Sequence, residues 1–349
     1  MRRFHRPRPL PTRPSVSVVI PCYNYGRYLP QAVAGALDQE GVDVDVLIVD
    51  DASPDGSADA ARSLAAADPR VDVVVHERNA GHIQTYNDGL SRVRGDYVTL
   101  VSADDVLMPD ALSRAVSLME HHPSVGLVYG YARSFTDDLP VGPTRTRSWS
   151  VWSGRDWLGT AARQGRCFLV SPEAVMRREA LEQTDGYDPR LPHSGDFDMW
   201  LRTAVRWDVG RVDGPIQAAY RVHDANMHLT EYAGWLTDLR ERRRTFDILF
   251  DERAPDVAEV QNLRPYAMRA LAKEALRRGR EVAHGDSSTL LDHLHFAAET
   301  HPAIRSSRAW RRAWAEATEG RVSGPAPWSR ATAKVRHHLR WRFERRYGT

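Results

Sequence analysis

The stretch YVTLVSADDVLMPD, residues 97–110, decides how the rest of the chain is read. An apolar run of strand character ends abruptly in two adjacent carboxylates, Asp104 and Asp105, and the segment PDALSRAVSLMEHH then takes up helical spacing. Like charges brought together at the end of a buried strand repel, so a divalent cation or a network of donors is needed to relieve them.

Working outward, the same rhythm recurs. SVSVVI is a short apolar run stopped by Pro21, and RYLPQAVAGALDQ has helical spacing. VDVLIV, VDVVV, DYVTLV and VGLVYG read as further strands, with SADAARSLAAA and HIQTYNDGLSRV as helices between them. Strands alternating with helices across short loops imply βαβ units, and therefore an α/β fold with a mostly parallel sheet flanked by helices.

In such a sheet the residues that follow each strand emerge at one edge, where open α/β sheets bind ligands. The exits here are PCYN (21–24), DDAS (50–53), HERN (76–79) and SADD (102–105), so polar and acidic groups collect at one rim. No G-x-G-x-x-G follows the first strand and there is no P-loop, which argues against dinucleotide dehydrogenases and P-loop NTPases.

The rhythm breaks after about residue 130 at the loop-like TDDLPVGPTRTRS. Segments beyond about residue 230, such as PYAMRALAKEALRRG, are amphipathic, which predicts an α-helical C-terminal extension. Four parts follow: a basic, proline-rich tail over 1–14, sheet halves over 15–105 and 106–228, and a helical region with a basic tail over 229–349.

The formal charge is +2, the apolar fraction 42%, and Lys273 and Lys334 are the only lysines among 48 basic residues. That bias fits a GC-rich coding sequence, and no basic domain for nucleic acid stands out. Two cysteines outside any C-x-x-C pair, no signal-peptide core and no run of about 18 apolar residues point to a cytoplasmic protein. The closing HHLRWRFERRYGT suits either a solvated tail or peripheral contact with an anionic membrane surface, and the helices before it suit a homodimer.

The acids on the rim carry the chemistry. Asp50 reads equally well as a cap for the turn SPDGS, whereas a cap needs only one of Asp104 and Asp105. Oxygen-only ligands in small number suit Mg2+ or Mn2+ sharing its shell with substrate phosphates, hence a nucleoside diphosphate ligand.

Taken together, VSVVIPCYNYGRYLPQAVAGAL, VLIVDDASPDGS, ERNAGHIQTYNDGLSRVRGDYVTLVSADDVLMPDAL and SGDFDMWLR resemble the inverting nucleotide-sugar glycosyltransferases of family 2, which have the GT-A fold. The resemblance covers roughly residues 15–225. It implies that Pro21, Tyr23, Asn24, Asp50, Asp51 and Ser53 hold the nucleotide, with Asn79 and Asn87 on a helix flanking the donor. Tyr23 reads equally as a core aromatic, and Asn87 as a helix-face residue bonding a loop.

The resemblance also implies that Asp104 and Asp105 meet the diphosphate and an Mn2+ or Mg2+ ion, with Asp105 the direct ligand and His223 a further candidate. Many relatives carry a third carboxylate where this chain has Ser102. In GDFDMWLR it places the catalytic base at Asp196, with Gly195 in place of the usual acidic neighbour and Asp198 pointing away along the helix. The implied activity is transfer of a sugar from a UDP- or dTDP-sugar to a hydroxyl of a glycan, lipid-linked or small-molecule acceptor. A sugar-phosphate nucleotidyltransferase and a non-catalytic nucleotide-sugar-binding module are the alternatives.

Overall fold

The computed structural model describes residues 3–224, 226, 234–283 and 286–321. The stretch 337–349, on which the membrane-surface reading rests, lies outside the described residues. The chain divides into two compact units, one of residues 1–158 and 167–230, the other of 159–166 and 231–349.

The first unit is built on a mixed sheet, ten-stranded among the described residues. Its strands are β1 (Arg3–His5), β2 (Ser15–Cys22), β3 (Asp43–Asp50), β4 (Val71–Val75), β5 (Tyr97–Leu100), β6 (Val106–Leu107), β7 (Val125–Phe135), β8 (Ser148–Trp152), β9 (Val175–Arg177) and β10 (Asp208–Arg221). The spatial order is β1-β8-β10-β7-β9-β5-β2-β3-β4, with β6 paired to β10. Strands β5, β2, β3 and β4 are mutually parallel, as are β7 and β10. The three-residue β9 runs antiparallel between β5 and β7 and joins these two parallel sets. So short a strand carries no periodicity of its own.

Helices α1 (Leu29–Leu37), α2 (Ser57–Ala67), α3 (His82–Leu90) and α4 (Ala111–His121) form the crossovers. Helices α5 (Gly154–Gln164), α6 (Arg178–Glu182) and α7 (Gly195–Arg206) follow. Along β2 the side chains alternate between two apolar layers. Val16, Val18 and Ile20 pack with Leu29 and Val33 of α1 and Leu112 and Val116 of α4. Val19 joins Leu47 and Val49 on the other face, beneath Leu90 of α3. The near-continuous apolar character of β2 and β3 is what burial on both faces demands.

Gly89 of α3 shows how closely that second face packs. A Cβ there would lie 2.4 Å from Val19 Cγ1, so the helix sits against the sheet where no larger residue fits. The helical cost of this glycine is offset by contact rather than by a ligand.

The second unit is helical: α8 (Trp235–Ile248), a π-helical turn (Leu249–Arg253), α9 (Ala258–Gln261), α10 (Arg264–Val282), α11 (Ser287–Thr300), a 3-10 turn (Pro302–Ser306) and α12 (Arg308–Thr318). Asp286 caps α11 by accepting from the amides of Ser288 and Thr289. Trp310 and Trp314 of α12 stack with centroids 4.9 Å apart. No helix among the described residues is long and apolar enough to cross a membrane.

Candidate active site

Strands β2 and β3 end side by side, with Cys22 opposite Asp50, and side chains stitch their exits together. Asn24 takes a left-handed φ of 61°, which asparagine tolerates, and its N–H donates to Ser53 Oγ at 3.0 Å. The Ser53 amide in turn donates to Asp50 Oδ1 at 3.0 Å. Asp50 is fully buried, yet its Oδ2 has no partner among the described residues, and neither has Asn24 Oδ1. Asp50 therefore forms the turn with one carboxylate oxygen and leaves the other unused, while Asn24 forms it through its backbone N–H. Pro21 lies beyond the last β2–β5 pair, Val19 with Leu100, so its missing N–H costs that ladder nothing. Tyr23 is 45% exposed at this rim, which removes the core-aromatic reading.

Asp51 is buried and saturated. It accepts from the Ala80 amide at 2.7 Å, the Gly81 amide at 2.9 Å and His76 Nδ1 at 2.8 Å. Burial pushes its carboxyl up, but these donors, Ala80 first among them, hold it below the usual range. Asn79 is exposed and also accepts from the Gly81 amide, at 3.1 Å.

Asp104 and Asp105 are built differently. Both are buried, and the Asp105 amide closes a turn onto the Ser102 carbonyl at 2.9 Å. Asp105 Oδ1 accepts the Arg221 amide at 2.9 Å, and Asp104 Oδ2 faces His223 Nε2 at 3.0 Å. Burial raises both carboxyls, and the charge of Asp104 pushes Asp105 well above its ordinary value. The Arg221 guanidinium lies over Tyr28 at 4.6 Å and Phe135 at 4.3 Å and donates to the Asp104 carbonyl at 2.9 Å. Tyr28 also stacks on His223, 5.5 Å between centroids. His223 Nε2 is turned to Asp104, so that nitrogen is a partner of the carboxylate.

The third carboxylate is Asp196, in the first turn of α7. Tyr187 Oη donates to its Oδ1 and Ser171 Oγ to its Oδ2, each at 2.6 Å. Ser171 holds φ at 103°, a strained value for serine of the kind that clusters at functional sites. Asp198 is fully buried and pairs at 2.8 Å with Arg202, whose guanidinium also donates to the Gly186 carbonyl at 2.6 Å. Asn87 reaches a loop a hundred residues on: its Nδ2 donates to the Tyr187 carbonyl at 2.9 Å, and its Oδ1 accepts the Tyr187 amide at 2.7 Å.

One buried acid, Glu173, escaped the sequence reading. It is 2% exposed, its Oε1 accepts the Val170 amide at 2.9 Å, and its Oε2 has no partner among the described residues. Burial pushes its carboxyl up to about 7, and the charge of Asp196 adds to this. Its own charge in turn raises Asp105, so Glu173 stands within electrostatic reach of both. Arg221, Tyr187 and Ser171 were also missed. The signals available in the sequence were a serine and an acid together in the run VSPEAVM and a tyrosine eight residues before the GDFD motif.

The donor set at Asp104 and Asp105 is oxygen-only and under-neutralised, which fits a hard divalent cation. No cluster of three or more His, Cys, Asp or Glu groups able to hold a metal occurs among the described residues. Such a cation would therefore draw much of its shell from water or a ligand.

Residues 17–184 match the family profile described as Glycosyl transferase family 2. An uncharacterised glycosyltransferase of Nostoc sp. is 28% identical over 218 residues, 62% of this chain and 67% of that protein. Chondroitin synthase of Pasteurella multocida is 29% identical over 191 residues, 54% of this chain but 19% of the synthase. Among solved structures, Staphylococcus aureus TarS 1-349 in complex with UDP-GlcNAc superposes with a TM-score of 0.62 at 15% identity, covering 88% of each chain. The mannosyltransferase PcManGT of Pyrobaculum calidifontis, in complex with GDP-Man and Mn2+, gives 0.57 at 18% identity over 90% of this chain and 87% of that one.

Proposed function

We propose, from the match of residues 17–184 to glycosyl transferase family 2, that this chain is an inverting glycosyltransferase moving a sugar from a nucleoside diphosphate-sugar to a hydroxyl acceptor. The observation that carries this reading is the loop of residues 170–173, in which the Val170 amide holds the buried Glu173 carboxyl and Ser171 Oγ holds the candidate base Asp196, with the Glu173 charge also bearing on Asp105. UDP is the first donor nucleotide to test, because the TarS structures hold UDP and UDP-GlcNAc, with dTDP and GDP next.

In this reading the nucleoside lies over the β2 and β3 exits, beside the buried and unpartnered Asp50 Oδ2 and Asn24 Oδ1 and the exposed Tyr23. Asp104 and Asp105 are the residues that would hold Mn2+ or Mg2+, which when bound neutralises charge growing on the departing diphosphate. Asp196 takes the acceptor hydroxyl's proton as that oxygen bonds to the anomeric carbon from the face opposite the diphosphate. The carbon–oxygen bond to the diphosphate breaks in the same displacement, and the configuration inverts. Two hydroxyls already fix the Asp196 carboxylate, so little reorganisation is needed when the proton arrives.

A thermal-shift panel of UDP-, dTDP- and GDP-sugars with and without Mn2+ tests this. A ligand bound only to the folded state at about 100 times its Kd stabilises by about 2.7 kcal/mol. One nucleotide series is expected to raise Tm in a metal-dependent way. The reading fails if none of them does, or if Asp196→Asn leaves transfer unchanged.

A further inference from the structure

Helix α3 carries three side chains that engage one loop far along the chain. His82 Nε2 bonds the Pro192 carbonyl at 2.8 Å, Tyr86 packs edge-on against Tyr187 at 5.2 Å, and Asn87 clasps the Tyr187 backbone at both its N–H and its C=O. The spacing of four puts His82 and Tyr86 on one face of the helix, with Asn87 next along the chain at the edge of that face. The loop is shaped for the clasp: Gly186 has a φ of 75°, and a Cβ there would lie 2.6 Å from Asn87 Oδ1.

Tyr187 is 4% exposed, and its hydroxyl is committed to Asp196 Oδ1. Burial and the adjacent Asp196 charge keep that hydroxyl protonated, hence a permanent donor. On the opposite carboxylate oxygen stands Ser171, carried by its strained loop.

We propose that Asn87 is a positioning residue for the base rather than a donor ligand: it fixes the Tyr187 backbone, and through it the hydroxyl that, with Ser171, holds the Asp196 carboxylate in one orientation. The inference rests on the proposed role of Asp196. It moves Asn87 from the nucleotide to the proton-transfer end of the site and gives α3 the task of registering that end against the sheet. Both ends of the Asn87 amide already bond protein groups, leaving one N–H and one lone pair for any further partner.

Two measurements test the relay. Proton NMR on the ligand-free, deuterated protein reads it without turnover. A tyrosine hydroxyl bonded to a carboxylate at 2.6 Å is expected to give a downfield, slowly exchanging resonance. That resonance should vanish in Tyr187→Phe and be lost or displaced in Asn87→Ala. If it is untouched in Asn87→Ala, the relay is wrong, whatever the enzyme's activity. Steady-state kinetics supply the second arm. Tyr187→Phe, which keeps the packed ring, is expected to lower kcat about tenfold with the donor KM unchanged. Asn87→Ala should lower kcat by up to the same factor, and the double variant no further than Tyr187→Phe alone, because both act through the same hydroxyl. A rise in donor KM in Asn87→Ala, with Tyr187→Phe silent, would make Asn87 a donor contact and overturn the proposal. Wild-type enzyme that turns over no nucleotide sugar would instead refute the proposed function, leaving the NMR result to decide the relay.

Discussion

Strands β3 and β5 stand one strand apart in the same sheet, and each ends in buried aspartate, yet the two ends are opposite in electrostatic design. Asp51 after β3 meets two backbone amides and an imidazole, and its charge is favoured despite burial. Asp104 and Asp105 after β5 have between them the Arg221 amide, the His223 imidazole and a long contact from the Asn226 side-chain amide at 3.5 Å, fewer donors per carboxylate; burial disfavours both charges, and the charge of Asp104 adds to this at Asp105. Residue type and position on the rim are the same, so the number of donors supplied is what separates a structural charge from one that invites a ligand. Stability is spent at the second site and conserved at the first, a usual mark of function.

The largest expected effect breaks the comparison at its functional end. Asp105→Asn removes a charge that the fold disfavours while keeping the side-chain carbonyl that accepts the Arg221 amide. Metal support of a departing diphosphate is worth several kcal/mol in the barrier, so transfer is expected to fall about 10³-fold. Urea unfolding of the metal-free protein should show stability equal to or above wild type. Activity within a few-fold of wild type, or a large loss of stability, would mean that the pair is structural.

That contrast was only half visible in the sequence. Long periodic segments such as β2, β3 and α4 announced the parallel sheet and hence the rim, and SADD drew notice because one acid suffices for a cap. The donor count was hidden: the amides that saturate Asp51 come from residues 80 and 81, and the amide that meets Asp105 comes from residue 221. Contacts of that range leave no periodic trace. The same holds for Asn87 and Tyr187, a hundred residues apart, so an asparagine in a motif beside the donor-binding segments was read with the donor. A positive φ at Ser171 could not be foreseen either, since only glycine advertises one.

The next effect concerns Glu173, which extends the comparison to a third acid with one amide bond and a vacant oxygen. In the unfolded chain it loses its proton near 4.5, in the folded protein near 7, mainly because of burial. Between those values the folded state binds the extra proton, so stability falls as pH rises and the whole penalty is present above 7. The gap corresponds to about 3 kcal/mol at full size. Glu173→Gln cannot ionise and should abolish this decline. Melts in EDTA are expected to show the variant near wild type at pH 4.5 and clearly more stable at pH 8. Parallel curves across that range would place the Glu173 carboxyl in a wetter or better-paired setting.

The smallest effect tests the saturated end. Asp51→Asn replaces a charged acceptor with an amide, one end of which must face an N–H of Ala80 or Gly81 as a second donor. Leaving a buried donor unsatisfied costs about 2 kcal/mol, seen as a lower urea midpoint at unchanged m-value. The sign of the pH dependence is the reverse of that at Glu173. A carboxyl whose folded value is depressed stabilises fully above the ordinary range near 4, and loses that contribution as pH falls through the folded value. The deficit of Asp51→Asn should therefore be widest at neutral pH and shrink in acid, whereas the gain of Glu173→Gln should be widest at alkaline pH and vanish in acid. If instead Asp51→Asn proved as stable as wild type at neutral pH while losing donor binding, Asp51 would belong with the ligand-facing acids, and the division of this rim into a saturated and an unsaturated end would fail.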